Sequence, residues 1–455
     1  MNYNQGMTEL APNDLIKPTI LVIIGITGDL SRRKLLPAIE KIAASSIAPE
    51  KLRIIGITRQ QQTVDDVLEK VPSKTDYVRE NLEIYSMGLT DLDEYVKLHT
   101  HLEEIEKDMG GSVQRLIYLS VPPQISQPIV ELLGESGMAK VPGTKLLLEK
   151  PFGVDLSSAQ ELVAQAKRYF DEDQLYRIDH YLAKEMTQNL VVFRQQNSLF
   201  KRTWNRDFID SIEIVASETI GIEGRAEFYE QTGALRDLIQ SHLLQLAALT
   251  LADLPVSVQD GDWKCVPTAR LHALQNIITP QDVLKDAKRG QYSTYRDEVN
   301  NPDTTVETFV SLTLHSKDPR WEGVPIRLIT GKALDRKATE IRITYKQDSE
   351  GEANRLVLHI QPNEGVEIDL WAKKPGYDRE QEKLSLDFMY SNHFPDLPEA
   401  YERVFVDAMR SDHSLFTGSD EVLETWRILD PVQKAWEMDS DDLLYYESGS
   451  VPGQA

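Results

Sequence analysis

The sequence holds a single cysteine, Cys265, among 455 residues. One cysteine rules out a disulfide within the chain and a cysteine-rich metal centre. The scarcity fits a reducing cytoplasm, which is the expected compartment. Long apolar runs are also missing. The longest, residues 20–24, falls far short of the ~20 residues that span a bilayer. The stretch MNYNQGMTELAPND at the start has no basic segment leading into an apolar core, so no secretory leader is expected. Positive charge is in deficit. Lys and Arg number 50 against 73 Asp and Glu, a net charge of −23. Such a chain repels nucleic acid and anionic membranes at long range, and neither is expected as a partner. If its ligand is itself an anion, a local cluster of Lys, Arg and His must reverse the field there.

What is present reads as an ordinary globular chain. Apolar residues make up 41% and charged residues 27%, with no internal repeat. The length exceeds what one core usually supports, so two domains are expected. PTILVIIG (18–25) is a continuous apolar run, as in a strand buried on both faces. A helical stretch follows from about 31. Then come KLRIIGITR (51–59), a helix near 92–109, QRLIYLS (114–120), a helix near 126–136, TKLLLEK (144–150) and a helix near 155–170 leading into QLYRID (174–179). This alternation predicts a parallel sheet covered by helices.

The pattern changes after 180. Residues 181–200 and 233–251 read as helical. From about 305 the period drops to two: Ile341, Ile343 and Tyr345; Leu356, Leu358 and Ile360; Val366, Ile368 and Leu370. That alternation predicts a half-buried antiparallel sheet, followed by helices near 397–411 and 419–438. The expected division is a tail over 1–17, a dinucleotide-binding α/β domain over 18–179, an α+β domain over 180–445 and a mobile tail over 446–455.

Two stretches carry chemistry. The turn Gly25-Ile26-Thr27-Gly28-Asp29-Leu30 follows the first strand and opens a helix, where backbone amides can approach a pyrophosphate. Thr27 and Leu30 replace the second and third glycines of G-x-G-x-x-G, so a plain strand-to-helix turn stays open. Arg59, after the second strand, stands where an NAD-type fold places an acid. An arginine suits a 2′-phosphate, which favours NADP.

The second stretch is YRIDHYLAKE (176–185), which packs Asp179, His180, Tyr181, Lys184 and Glu185 into seven positions. If 179–185 is helical, His180 and Lys184 share a face, with Tyr181 beside them. Such a face offers charge-assisted hydrogen bonds to a dianion. His242 lies on the apolar stripe of Leu235, Leu238, Ile239, Leu246 and Leu249, where a satisfied core histidine and a catalytic base are both open readings. Asp179 has an N-cap as its plain alternative.

GITGDLSRRKLLPAI, EKPFG (149–153), YRIDHYLAKE, EGR (223–225), GALRDLIQSHLLQ (233–245), RGQY (289–292), GVP (323–325), GKAL (331–334) and EAYER (399–403) occur in the order of the glucose-6-phosphate dehydrogenases. From about 18 to about 438 the chain resembles that family. The resemblance implies a Rossmann-type α/β domain joined to a larger α+β domain with a mainly antiparallel sheet. It implies NADP, with NAD as a further candidate, held by Gly25, Thr27, Gly28, Asp29, Leu30, Lys34, Arg59, Gln60 and Lys150.

It implies further that His242 takes the proton from the 1-hydroxyl of glucose 6-phosphate and that Asp179 orients it. His180, Tyr181 and Lys184 would hold the 6-phosphate. Lys150, Glu218, Asp237, Lys332 and Lys337 would reach the sugar. The implied product is 6-phosphoglucono-δ-lactone, the first step of the oxidative pentose phosphate pathway. A homodimer or homotetramer is implied, and no metal is needed. Two departures stand out. Ala183 replaces a glycine usual in RIDHYLGKE, and the residues after EGR lack the usual G-Y-F/Y-D. A related sugar-phosphate dehydrogenase with another sugar or cofactor preference, and a non-catalytic NADPH-binding relative, are the alternatives.

Overall fold

A computed structural model of the chain describes residues 16–347, 352–394, 396–438 and 441–452. The chain forms two compact units. The first comprises residues 1–150, 162–178 and 399–416, and the second 151–161, 179–398 and 417–455. The single boundary expected after 179 is thus replaced by an exchange of segments. The tail expected over 1–17 lies largely outside the described residues, although Ile16 is buried.

The first unit is built on a parallel sheet. Its strands are β1 (Thr19–Ile24), β2 (Leu52–Thr58), β3 (Leu82–Ser86), β4 (Gln114–Leu119), β5 (Thr144–Leu148) and β6 (Leu175–Ile178), in the spatial order β3-β2-β1-β4-β5-β6. That order is the doubly wound arrangement whose ligand crevice lies at the carboxyl ends of the central strands. All six residues of β1 are buried, with Val22 in register with Ile55 and Ile117. A strand covered on both faces by helices has no polar side to show. The helix Leu92–Met109 starts where the Asp91 carboxylate accepts from the Asp93 amide at 3.0 Å, and stops at Gly110, whose φ of 103° is left-handed. β3 escaped the sequence reading because only Leu82 of its five residues is buried.

The second unit carries the larger sheet, with strands β7 (Ile209–Ser217), β8 (Ile277–Ile278), β9 (Ala287–Tyr292), β10 (Phe309–Ser316), β11 (Ile326–Gly331), β12 (Ala338–Tyr345), β13 (Arg355–Gln361), β14 (Gly365–Lys373) and β15 (Gln381–Met389). The short strand β16 (Phe416–Thr417) joins the edge of the first sheet beside β6, and β17 (Leu443–Tyr446) pairs with β9. The large sheet runs β15-β14-β13-β12-β7-β11-β10-β9-β17, with β8 paired to β10. Its pairings are antiparallel except β7 with β11 and β9 with β17. The period-two alternation from 305 onward is this sheet.

Two expectations need correction. Residues 179–184 are not helical. Asp179 accepts the Tyr181 amide at 2.9 Å through its side chain and the Leu182 amide at 3.1 Å through its carbonyl, which closes a turn. The helix begins at Glu185, with Lys184 extended as its N-cap. The tail expected from 446 also does not begin there. Tyr446 is buried against Tyr292, Tyr295 and Phe309 and closes β17. Residues 453–455 lie outside the described residues.

Candidate active site

The turn 179–184 and the helical segment Leu235–Leu243 both belong to the second unit. They bring together two residues 63 positions apart. His242 Nδ1 lies 2.7 Å from Asp179 Oδ1, and both side chains are buried. A carboxylate only accepts, so Nδ1 carries the proton and Nε2 is the basic nitrogen of the neutral ring. Burial alone would raise the Asp179 carboxyl. The positive charge and hydrogen bond of His242, together with His180 and the Tyr181 amide, hold it below the usual carboxylate range.

Aromatic rings enclose the pair. Tyr181 stacks on His242 with centroids 4.3 Å apart, and His180 meets His242 edge-on at 4.5 Å. Gln361 Nε2 donates to the Tyr181 hydroxyl at 3.2 Å and to Thr339 Oγ1 at 3.0 Å. Burial pushes the Tyr181 phenol up, and the charges of Glu218, Asp179 and Asp237 push the same way.

The helix carrying Asp237 and His242 has wide, π-type turns over Leu235–Leu243 and passes into the helix Leu244–Leu251. A wide turn spoils the strict 3.6-residue register, and such turns gather at functional sites. Its start is fixed from a distance. Glu307 Oε1 accepts the Leu235 amide at 2.9 Å, and its carbonyl accepts the Ala234 amide at 3.0 Å. Gly233 makes room for this: at φ 61° it is left-handed, and a Cβ there would lie 2.4 Å from Glu307 Oε1. Glu364 caps the helix after the 179–184 turn in the same way, accepting the Met186 amide at 2.7 Å. Glu307 and Glu364 were missed in the sequence, because each caps a helix 72 or 178 residues away.

Lys332 is buried and ion-paired with Glu218. Its ammonium lies 5.6 Å from the centre of the Tyr229 ring. The Tyr446 hydroxyl donates to its carbonyl at 2.7 Å. Lys184 and His180 are half-buried beside the buried Tyr181. Lys337 is exposed between β11 and β12, and no hydrogen bond or ion pair among the described residues ties it to this cluster. No group of three or more His, Cys, Asp or Glu among the described residues has a metal-holding arrangement.

In the first unit, the turn 25–30 follows β1. Gly25 has φ 94°, and a Cβ on it would lie 2.2 Å from the Ser120 carbonyl oxygen. Only glycine lets the chain pass there. The Gly28 amide donates to the Gly25 carbonyl at 3.0 Å, and Ser31 Oγ donates to the same oxygen at 3.0 Å. Thr27 and Leu30 are half-buried and Asp29 is exposed in an ion pair with Arg33. Lys34 pairs with Glu399 at 2.9 Å. Arg59 and Gln60 stand exposed just past β2, and Arg59 makes no ion pair among the described residues. A glycine-only turn at the carboxyl end of the central strand, with an unpaired arginine beyond the next, fits a dinucleotide with a 2′-phosphate. Lys150, half-buried, directly follows the end of β5 by two residues.

Comparison with known proteins identifies the family. Residues 22–189 match the family model described as glucose-6-phosphate dehydrogenase, NAD binding domain, and residues 191–455 match its C-terminal domain. The glucose-6-phosphate 1-dehydrogenase of Chlamydia muridarum is 34% identical over 481 aligned positions, covering 96% of this chain and 94% of that protein. A solved glucose-6-phosphate dehydrogenase in complex with its substrate glucose-6-phosphate superposes with a TM-score of 0.89 at 31% identity, over 97% of this chain and 96% of that one. The glucose-6-phosphate 1-dehydrogenase from Mycobacterium avium gives 0.82 at 31% identity, over 95% and 94%. No helix among the described residues is long and apolar enough to cross a membrane. Matched at both ends and along nearly its whole length, the chain belongs to the glucose-6-phosphate dehydrogenase family, oxidoreductases acting on the CH–OH group of glucose 6-phosphate.

Proposed function

We propose that the chain oxidises C1 of D-glucose 6-phosphate with NADP⁺, and that His242 is the base. The observation that carries this reading is the buried His242–Asp179 pair at 2.7 Å. Asp179 fixes the tautomer, so Nε2 takes the proton of the 1-hydroxyl, and the carboxylate stabilises the imidazolium as it forms. A dinucleotide held by the turn 25–30 and Arg59 would supply the acceptor for the hydride from C1. The lactone is the product.

His180, Tyr181 and Lys184 hold the 6-phosphate, which fixes the far end of the sugar so that binding energy orients C1. Glu218, Asp237 and Lys332 take the sugar hydroxyls. The Lys332–Glu218 pair supports this assignment, because a buried cation held by one carboxylate has donors left for a hydroxyl. Lys337 and Lys150 are assigned to substrate on the resemblance alone, Lys150 also to the cofactor, and Gly25, Thr27, Gly28, Asp29, Leu30, Lys34 and Gln60 to the dinucleotide. Arg59 favours NADP over NAD.

The assembly is read as a homo-oligomer formed by a second copy of the chain. Leu384, Leu386 and Phe388 of β15 are between 40% and 61% exposed on one face, with Leu370 of β14 opposite Leu384. A contiguous apolar face of this kind on a sheet is a liability unless another protein covers it. A cytoplasmic location is supported by the single cysteine.

Steady-state rates at the NADPH absorbance band test the base. His242→Asn is expected to lower kcat by roughly 10²–10⁴-fold with glucose 6-phosphate and NADP⁺. Equal rates in the two proteins would sink the assignment. Parallel assays with galactose 6-phosphate and with NAD⁺ decide the sugar and cofactor preferences.

A further inference from the structure

A cavity of about 410 Å³ in the second unit is lined by none of the residues assigned above. It lies beside the C-terminal end of the helix Leu244–Leu251, the continuation of the segment that carries His242. Three of its lining side chains hold that end. Arg194 donates to the Leu249 and Ala252 carbonyls, each at 2.7 Å. Trp204 Nε1 donates to the Thr250 carbonyl at 2.9 Å, and Arg320 reaches the Leu251 carbonyl at 3.3 Å.

Arg194 is the unusual member. It is 5% exposed, and its guanidinium lies 5.1 Å from the centre of the Trp204 ring. Its acceptors among the described residues are those two carbonyls, with no carboxylate in contact, and its buried Nε has no acceptor. Burial, then the charge of Arg320, lowers it to about 9, and the charge of Asp253, which is not in contact, offsets them only in part. A cation buried without an anion is costly, and proteins normally supply one. Next to it, Gln195 is 7% exposed. Its Nε2 donates to the Leu254 carbonyl at 2.9 Å, while Oε1 is buried with no donor among the described residues. Lys201 and Arg206 add positive charge to the wall, which also carries Asp207 and Asp253. Arg206 and Arg320 already hold carboxylates, Arg206 at 2.5 Å from Glu322 and Arg320 at 2.9 Å from Asp253 and 2.7 Å from Asp318, which leaves Arg194 and Lys201 as the cations free of a carboxylate contact among the described residues. Lys201 is exposed and makes no ion pair among the described residues.

We propose that this cavity is a second anion site, taking hydrogen phosphate or a small phosphate monoester, with the oxyanion on Arg194 and Lys201 and a hydroxyl donated to Gln195. The size suits a small metabolite. The chemistry needs an acceptor and a donor on one ligand, which a bare halide lacks. Arg194, Trp204 and Arg320 grip the helix that carries His242, so occupancy alters kcat more than the KM for the sugar phosphate. That consequence rests on the His242 reading.

The test is calorimetric titration of potassium phosphate, and separately of glycerol 3-phosphate, into the full chain at ionic strength fixed with KCl. Wild type is compared with Lys201→Ala/Arg206→Ala, which alters only partly exposed side chains; matching thermal unfolding establishes that the variant folds. The variant is expected to lose one anion site, or to weaken it at least tenfold, at unchanged KM for glucose 6-phosphate. The tighter of the two ligands names the source. Identical isotherms would overturn the proposal, as would a KM that rises in step, which would identify the lost site as the substrate's. Binding is read without turnover, so failure of the His242 reading leaves this result standing. A weakened site together with a kcat insensitive to phosphate would remove the coupling and leave the site.

Discussion

Asp179 is buried, which by itself favours the protonated acid, yet its partners hold the carboxyl below the usual range. A folded carboxyl that is depressed gives stability above the unfolded value, about pH 4, and loses it as pH falls. Asp179→Asn removes that contribution. In urea unfolding, the stability gap between wild type and variant is therefore expected to narrow as pH drops from 6 to 3; a constant gap would count against the pairing. The same variant is expected to lose kcat by roughly 10²–10⁴-fold, because an amide can present its N–H to His242 and favour the wrong tautomer. The glucose 6-phosphate KM should move far less, since the phosphate contacts remain.

At this scale the sequence was legible in part. Asp179, His180, Tyr181 and Lys184 stood out because polar side chains crowd one short stretch. His242 did not, since an apolar stripe with one imidazole reads equally as core. Its role came from the family resemblance, and the 2.7 Å contact to Asp179 supports that assignment. Glu307 and Glu364 were invisible, because a cap contributed from a remote segment leaves no spacing to find.

Among the elements, the helix Ala400–Arg410 of the first unit is gripped at its carbonyl end by buried Lys145, which donates to the Ala408 carbonyl at 2.5 Å. On the same helix, burial pushes Asp407 up to about 6 from 3.8, despite its ion pair with Arg403. A raised acid binds its proton more tightly when folded, so its contribution to stability falls as pH rises from about 4 to about 6. The rise from 3.8 to about 6 corresponds to about 3 kcal/mol. Asp407→Asn is therefore expected to gain on wild type by that order between pH 4 and 6.5, read from urea midpoints; a flat difference would refute the raised carboxyl.

The turn after β1 gives a second test. Gly25→Ala forces a left-handed alanine and a contact at 2.2 Å. A loss above about 1 kcal/mol is expected, with weakened NADP⁺ binding measured by fluorescence titration. Wild-type affinity and stability would show that the turn has another conformation.

Helix limits followed from local signals where a cap and a stop coincide, as at Asp91 and Gly110. The stretch 179–184 misled, because its spacing suits a helix while the Asp179 side chain and carbonyl close a turn instead. The second glycine of interest, Gly233, mattered only once Glu307 was seen beside it.

For the molecule as a whole, the exposed apolar face on β14 and β15 predicts self-association. Leu386→Lys/Phe388→Asp places charges on it. Sedimentation velocity is expected to show a shift from oligomer to monomer, at little cost to folding because both positions are exposed. A wild-type protein that sediments as a monomer would refute this reading of the face.

The sequence by itself determined the two fold classes, since a period of two or an unbroken apolar run reflects which faces a strand buries. It also determined the acidity, the absence of disulfides and the glycine-dependent turn after β1. The resemblance to the family already named Asp179 as the partner of His242; only the tertiary structure set the two 2.7 Å apart, decided which acids cap the two helices of the site, and showed that Tyr446 near the chain's end locks the carbonyl of Lys332. Those contacts join residues 63 to 178 positions apart. Side-chain hydrogen bonds act over about 3 Å, so they depend on where the folded backbone brings two segments together, and spacing along the chain holds no record of that.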